Sequence, residues 1–277
     1  MKLIFAIFTA LGVSMIGLTN VHAAPPIKSP IGYDISYPQC DTKVPTNHAF
    51  GIVGVNGGLA TTPNPCLEQQ LKWASTAVGG TKQEKVQLYV NTANPGGLDT
   101  PSWPQDNFDP GGNFVVTPHG GCTGEDTLAC AWQYGWNRAY EDVNWWFGPA
   151  ATKTLADTKP SSYVWWLDVE LENTWKLSGS KLDYQSNVAV LEGMAEYFAS
   201  IGTRIGLYST AYQWGEITDG VIDSESRLNG LPNWRPGGRN VSTATQACTA
   251  SPLTPGGTVV LTQYIARGLD HNYSCIK

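Results

Sequence analysis

The sequence predicts an α/β fold of the TIM type, a (β/α) barrel whose last strands lack full helices. Strand-like and helix-like segments alternate along most of the chain, the order that builds parallel βαβ units. Roughly eight strand-like segments occur in the chain, which suits one barrel domain. An open doubly wound sheet is the competing architecture. It is disfavoured because no Gly-x-Gly-x-x-Gly follows the first strand and because the chain finishes in strands.

Strands are predicted where short apolar runs, rich in β-branched and aromatic residues, end at Gly, Pro, Asn or Ser. The strongest run is 163–170, which carries two adjacent tryptophans and ends in acidic residues. The predicted strands span residues 32–37, 50–55, 86–91, 163–170, 204–209, 231–234, 245–248 and 259–264.

Helices are predicted where apolar residues recur every three or four positions. Trp132, Trp136, Ala139 and Val143 form one such stripe, and Gly202 follows another as a C-cap. The segment 95–126 is rich in Pro, Gly and Asp and is expected to be a long loop. The predicted helices span residues 66–78, 128–147, 183–200 and 212–217.

The first 24 residues predict a secretory signal peptide, followed by a single barrel domain over residues 25–277. Lys2 supplies a positive charge, residues 3–17 are apolar, and residues 21–24 end in small side chains suited to cleavage. A membrane anchor is the alternative, but the apolar run is shorter than the roughly 20 residues that a span needs. We therefore expect a secreted, extracellular monomer with no membrane span after cleavage.

The cysteine pattern predicts disulfide bonds. An even number of cysteines in an exported chain favours disulfides, and six allow many pairings. We expect neighbours in sequence to pair, because each such pair lies in loop-like surroundings. A zinc site is the alternative, but the chain has no Cys-x-x-Cys and no His-Glu-x-x-His, so we expect no metal and no cofactor. The expected pairs are Cys40–Cys66, Cys122–Cys130 and Cys248–Cys275.

The charge of the chain argues against nucleic-acid binding. Its 17 basic and 23 acidic residues give a formal net charge of −6. No run of basic residues is present that could follow a phosphate backbone.

The strand at 163–170 carries the clearest chemical signal. Because side chains alternate along a strand, Val164, Trp166, Asp168 and Glu170 should share one face, opposite a wholly apolar face that packs on helices. The acidic end is the carboxyl end, where barrels carry their active sites. Two carboxyl groups there repel, which raises at least one pKa and suits general acid chemistry. A structural role, as a strand end or helix cap, is the alternative.

Other strands place polar side chains toward the same rim. Asp34 shares a face with Ser36, Tyr89 with Asn91, and Tyr208 alternates with apolar neighbours. Gln263 precedes Asp270, which is expected to lie in a loop. A barrel would gather the four acids Asp34, Asp168, Glu170 and Asp270 at one rim. The candidate substrate-binding residues are Tyr37, Tyr89, Asn91, Trp166, Tyr208 and Gln263.

Four segments together resemble the family-25 glycoside hydrolases, which are lysozyme-type muramidases. Gly32-Tyr-Asp-Ile-Ser36 is similar to the family's opening strand, and Leu167-Asp-Val-Glu170 is similar to its Asp-x-Glu motif. Arg204-Ile-Gly-Leu-Tyr-Ser209 resembles its Gly-Ile-Tyr-Ser strand. Leu261-Thr-Gln-Tyr264 followed by Asp270-His-Asn272 resembles its closing motif. The chain is also similar to uncharacterised secreted bacterial proteins with a glycoside-hydrolase-like barrel, which share the Gly-Tyr-Asp-Ile-Ser-Tyr-Pro-Gln-Cys opening.

The resemblance implies a secreted hydrolase of peptidoglycan β-1,4 bonds. It makes Glu170 the general acid and Asp168 its charged partner, with Asp34 and Asp270 as accessory carboxylates. The family's mechanism uses the substrate's acetamido group as nucleophile, an exception among glycosidases. The chain departs from the family pattern at Leu88-Tyr-Val-Asn91, where an aromatic-rich strand is usual, and at Trp234-Arg-Pro-Gly.

A second hypothesis is a catalytically weak or inactive barrel that binds cell-wall glycan. In that case exposed aromatic side chains would stack on sugar rings. The candidates for such a surface are Tyr37, Trp166, Tyr208, Trp214 and Trp234.

Overall fold

The computed structural model describes residues 30–96, 98 and 100–276. The signal peptide expected over residues 1–24 lies outside these described residues. The described strands form one closed barrel in sequence order. The strands are β1 (Ile31–Ile35), β2 (Gly51–Gly54), β3 (Val86–Asn91), β4 (Val164–Asp168), β5 (Arg204–Tyr208), β6 (Pro232–Gly238), β7 (Thr258–Ala266) and β8 (Leu269–Ser274).

Helices cover the outside of the barrel between the middle strands. A π-helical turn over Asp142–Phe147 joins the second and third helices. No described helix is both long and apolar enough to cross a membrane. The helices are α1 (Leu67–Ser75), α2 (Leu128–Glu141), α3 (Gly148–Thr154), α4 (Lys181–Ser200), α5 (Ala211–Thr218) and α6 (Val241–Ala247).

The last part of the barrel differs from the sequence-based expectation. The strand predicted at 245–248 is wrong, because these residues lie in and directly after α6, which begins at a capping box formed by Asn240 and Thr243. The eighth strand is β8, which runs antiparallel to both β7 and β1. Arg267 and Gly268 both have positive φ in the two-residue turn before β8, a geometry that suits a tight hairpin.

The alternation predicted for β4 separates two layers of core. Trp165 and Leu167 point outward and pack in the layer beneath the helices. Trp166 points inward and packs with Phe50 and Trp234 inside the barrel. Gly206 makes room for it, because a Cβ there would lie 2.3 Å from the Trp166 ring. The barrel interior below the acidic rim is therefore filled with aromatic side chains.

Two helices cross at very short range outside β4. A Cβ on Gly135 of α2 would lie 1.9 Å from the carbonyl oxygen of Val190, and a Cβ on Gly193 of α4 would lie 1.9 Å from that of Trp132. Only glycine permits this approach. The crossing fixes α4, whose first turns lie beside the loop that follows β4.

The structure contains three disulfides, the sequence-neighbour pairs expected above. Cys40–Cys66 links the segment after β1 to the N-terminus of α1. Cys122–Cys130 links the end of the long loop to the first turn of α2. Cys248–Cys275 links the end of α6 to the residue after β8. Each disulfide thus joins a connecting segment to the barrel framework.

Candidate active site at the carboxyl end of the barrel

Asp34 is held at the centre of the rim by amides from two other strands. The side chain of Gln263 on β7 donates to Asp34 Oδ2 at 3.1 Å, and that of Asn272 on β8 donates to the same oxygen at 2.5 Å. The hydroxyl of Tyr208 on β5 donates to Gln263 Oε1 at 2.8 Å. A hydrogen-bonded chain therefore crosses the barrel from β5 to β1.

Asp270 lies beside Asp34 because β8 is antiparallel to β1, with the two residues in register. Burial, and then the charge of Asp270, raise the pKa of Asp34 to about 7, although hydrogen bonds from Asn272 and Gln263 oppose the rise. Burial also raises the pKa of Asp270. The expectation that Asp270 lies in a loop is wrong, because this residue belongs to β8.

Asp168 and Glu170 meet although only one of them lies in a strand. β4 ends at Asp168, so Glu170 is beyond the predicted alternation, in the turn that follows. Pairing with the neighbouring strand continues one residue further, since the amide of Val169 donates to the carbonyl of Tyr208 at 2.9 Å. The Trp175 indole donates to the Glu170 carbonyl at 2.8 Å and anchors this turn. The two carboxyl groups are close enough that each acts on the pKa of the other.

The Asp168–Glu170 pair retains a proton to higher pH than an isolated carboxyl group. Burial, and then the neighbouring Glu170, raise the pKa of Asp168 well above its ordinary value. Burial, and then the charge of Glu172, raise the pKa of Glu170, while hydrogen bonds from Asp168 and Gln213 oppose the rise. Because the two groups act on each other's pKa, the retained proton belongs to the pair. Asp168 is buried, whereas Glu170 is partly exposed.

The predicted residues on β3 also reach this site. Asn91 pairs in register with Asp168, and Tyr89 lies two residues deeper. The side-chain amide of Asn91 donates to Asn56 Oδ1 at 2.8 Å. Burial raises the pKa of the Tyr89 hydroxyl strongly. The charges of Asp168, Asp34 and Asp270 add to this rise.

Two of the predicted substrate-binding residues differ in their exposure. Tyr37 follows β1 at the rim and is 48% exposed, so a ligand can reach it. Trp166 is 1% exposed, and its indole donates to Gln87 Oε1 at 2.8 Å, deep inside the barrel. The prediction that Trp166 contacts substrate is therefore corrected: it supports the floor of the site.

The hypothesis of a non-catalytic glycan-binding barrel requires exposed aromatic side chains, and most of its candidates are not exposed. The candidates Trp214, Trp234 and Tyr208 are buried, like Trp166. Of that set only Tyr37 presents a large exposed face.

Several residues of the site were not predicted. Asn272 shares a face of β8 with Asp270, so alternation along a strand could have identified it once β8 was recognised. Asn56 follows β2 at its carboxyl end, the position where barrels carry functional residues. Glu172 lies near enough to Glu170 to raise its pKa. Within the described residues, no group of three or more His, Cys, Asp or Glu side chains is arranged to hold a metal ion.

A cavity of about 650 Å³ lies at the other end of the barrel. It is lined by Val164, Arg204 and Pro232, which begin β4, β5 and β6. None of the four rim acids lines this cavity. Its surroundings do not provide the paired carboxyl groups found at the rim.

Comparison with known proteins supports the family resemblance. No protein-family model matches the sequence. A relative named "Probable GH family 25 lysozyme 4", from Dictyostelium discoideum, is 33% identical over 87 residues, which are 31% of this chain and 38% of the relative. The chain is similar to a family-25 lysozyme. The match spans less than two thirds of that relative's length.

Two solved structures align with most of this chain. The spore cortex lytic enzyme SleM of Clostridium perfringens aligns with a TM-score of 0.50 at 13% identity, over 91% of this chain and 69% of that one. A family GH25 lysozyme from Aspergillus fumigatus aligns with a TM-score of 0.47 at 14% identity, over 88% and 93% of the two chains. The closed barrel and the SleM alignment confirm the predicted fold class.

Proposed function

We propose that this protein is a secreted glycoside hydrolase that cleaves β-1,4 bonds of peptidoglycan in the manner of a muramidase. The observation that carries the proposal is the Asp168–Glu170 pair at the carboxyl end of the barrel, with Asp34 and Asp270 at the same rim. The proposed general acid is Glu170, because it is the more exposed member of the pair and can reach a substrate. The similarity to a relative named as a lysozyme supports the same reaction class.

In the proposed reaction, Glu170 donates its proton to the oxygen of the scissile glycosidic bond. The acetamido oxygen of the substrate attacks the anomeric carbon as that bond breaks, which forms a cyclic intermediate and releases the leaving sugar. Asp168 accepts a hydrogen bond from the acetamido N–H and stabilises its developing positive charge. Water then opens the ring and returns its proton to Glu170, so that the enzyme is restored.

Export is part of the proposal. Disulfides persist in oxidising compartments and are rare in the cytosol, and this chain has three. The signal peptide predicted over residues 1–24 is consistent with the same destination, where peptidoglycan is accessible to the enzyme.

The test is clearing of a suspension of purified cell walls, combined with a count of the reducing ends released. Glu170→Gln keeps the shape of the side chain but cannot donate the proton, and we expect activity to fall by at least about 10²-fold. Glu225→Gln is the matched control, because this exposed acid lies in the segment that leads into the amino end of β6, away from the acidic rim.

Equal clearing by wild type and Glu170→Gln would remove Glu170 from the mechanism. Tight binding of the wild-type protein to walls without release of reducing ends would instead favour the non-catalytic glycan-binding barrel.

A further inference from the structure

Trp145 presents an aromatic surface that the proposed reaction does not use. It is 52% exposed, although large aromatic side chains are usually well covered. The ring of Tyr140 meets its ring edge-on, with centroids 6.5 Å apart. One face of the indole therefore remains available to a ligand.

The segment that carries Trp145 is fixed from beneath. It belongs to the π-helical turn Asp142–Phe147, a wide type of turn that is frequent at functional sites. Asp142 is buried and accepts a hydrogen bond from Asn56 at 3.4 Å. Asn144 donates to the hydroxyl of Tyr197 at 2.6 Å, and Phe147 packs in the core. Because the turn is already ordered, binding at Trp145 would cost little conformational entropy.

Two grooves meet at the Trp145 side chain. One, of about 580 Å³, includes the exposed amide of Gln69 and the partly exposed ring of Trp146. The other, of about 510 Å³, includes the exposed side chains of Gln105 and Phe108. Both volumes lie within the roughly 300–1,000 Å³ that is typical of ligand sites.

The chemistry of these grooves suits an uncharged sugar chain. Sugar rings present apolar C–H faces that pack on aromatic rings, while amides bind their hydroxyl and acetamido groups. Among the charged side chains of the lining, Arg138 pairs with Glu141 at 2.5 Å and Glu68 pairs with Lys153 at 2.5 Å. The carboxylates of Asp106 and Asp109 accept hydrogen bonds from the backbone amides of Phe108 and Gly111. An anionic partner would find no unpaired cation in the linings of these two grooves.

The grooves also lie on the side of the barrel that carries the acids. Gln69 is in the first turn of α1, directly after the loop that follows β2, and Gln105 is in the loop that follows β3. Both loops begin at the carboxyl ends of their strands. Asp168 and Glu170 lie at the carboxyl end of β4, which faces the same side of the barrel. Asn56 connects the two regions, because it hydrogen-bonds both Asp142 below Trp145 and Asn91 beside Asp168.

We propose that Trp145 and the two grooves bind a distant stretch of the same N-acetylhexosamine strand that the acids cleave. This inference rests on the proposed function. It adds a second point of attachment on a polymeric substrate, so that Trp145 raises affinity for long strands without taking part in bond cleavage.

The experiment measures binding to purified glycan strands stripped of protein and peptide, in a Glu170→Gln background that prevents cleavage. Trp145→Ala should weaken binding about tenfold or more, the scale of a buried aromatic anchor. Trp145→Phe keeps an aromatic face and should retain most of the affinity. Val78→Ala is the matched control, because this exposed apolar side chain lies at the opposite end of the barrel and should leave binding unchanged.

A second measurement separates this site from the active site. With Glu170 intact, Trp145→Ala should cleave a soluble tetrasaccharide within about twofold of wild type but should clear whole walls more slowly. Thermal unfolding would first establish that the Trp145→Ala and Val78→Ala proteins are both folded. Equal strand binding by the two folded variants would then overturn the inference. Failure of the proposed function would appear differently, as absence of cleavage by the wild-type protein on every substrate.

Discussion

Replacing Asp34 by asparagine should stabilise the protein at neutral pH, and the gain should disappear in acid. Asp34 is 8% exposed, and its pKa is about 7 because of burial and the charge of Asp270. In the unfolded chain this carboxyl group returns to its ordinary value of 3.8. Between these two values the folded protein binds a proton that the unfolded chain has lost, so the free energy of unfolding falls as pH rises from about 4 to about 7.

The size of the effect follows from the shift. A difference of about three pKa units, at roughly 1.4 kcal/mol each, makes the folded state about 4 kcal/mol less stable at pH 7 than it would be with a group that does not titrate. Asparagine is such a group, and it resembles the protonated acid. Its oxygen can still accept from Gln263 and Asn272, which both donate to Asp34 Oδ2.

The assay is urea unfolding of wild type and Asp34→Asn at pH 4, 5, 6, 7 and 8, with disulfides intact. The difference in free energy of unfolding should be small at pH 4 and should grow to about 4 kcal/mol by pH 7–8. Asp41→Asn, at an exposed position, should show no such growth. A difference between Asp34→Asn and wild type that is the same at pH 4 and pH 8 would refute the reasoning.

Three further predictions concern the acid pair and two helical glycines. Wall clearing should decline as pH rises through the raised pKa of the Asp168–Glu170 pair, because the general acid must hold its proton; a flat rate from pH 4 to pH 8 would contradict this. Gly193→Ala should lower the free energy of unfolding by roughly 3 kcal/mol or more, because its Cβ would lie 1.9 Å from the Trp132 carbonyl. Gly215→Ala on α5, where no atom lies within 4 Å of the new Cβ, should be stabilising by up to about 1 kcal/mol in the same thermal or urea unfolding experiment.

The fold was predictable where local pattern and tertiary role coincide. The strands β1 to β5 are short apolar runs flanked by turn residues, and the alternation on β4 correctly separates Trp165 from Trp166. The β8 segment was missed because Asp270, His271 and Asn272 make it polar, as two of these side chains serve the site instead of a core. The error at 245–248 arose because the capping box at Asn240, which begins a helix, was not recognised.

The site was predictable in its parts but not in its assembly. Alternation gives the face of a strand on which a residue lies, and not its depth inside a barrel. Trp166 is two residues below Asp168, or roughly 7 Å along the strand, which places it under the site instead of at its mouth. Likewise, no local signal indicates that amides from β7 and β8 meet Asp34 on β1, because that contact exists only when the barrel closes.

The antiparallel last strand explains how four acids can be tolerated at one rim. It brings Asn272 to Asp34 together with Asp270, so the strand that adds a negative charge also adds an amide donor. The other donors described here, Gln263 to Asp34 and Gln213 near Glu170, are amides too. An amide favours a carboxylate less than a guanidinium does, so burial and mutual repulsion still raise the pKa values of these acids. A rim built from amides therefore lets these acids keep their protons, as the proposed mechanism requires of Glu170, whereas an arginine beside Glu170 would hold it ionised.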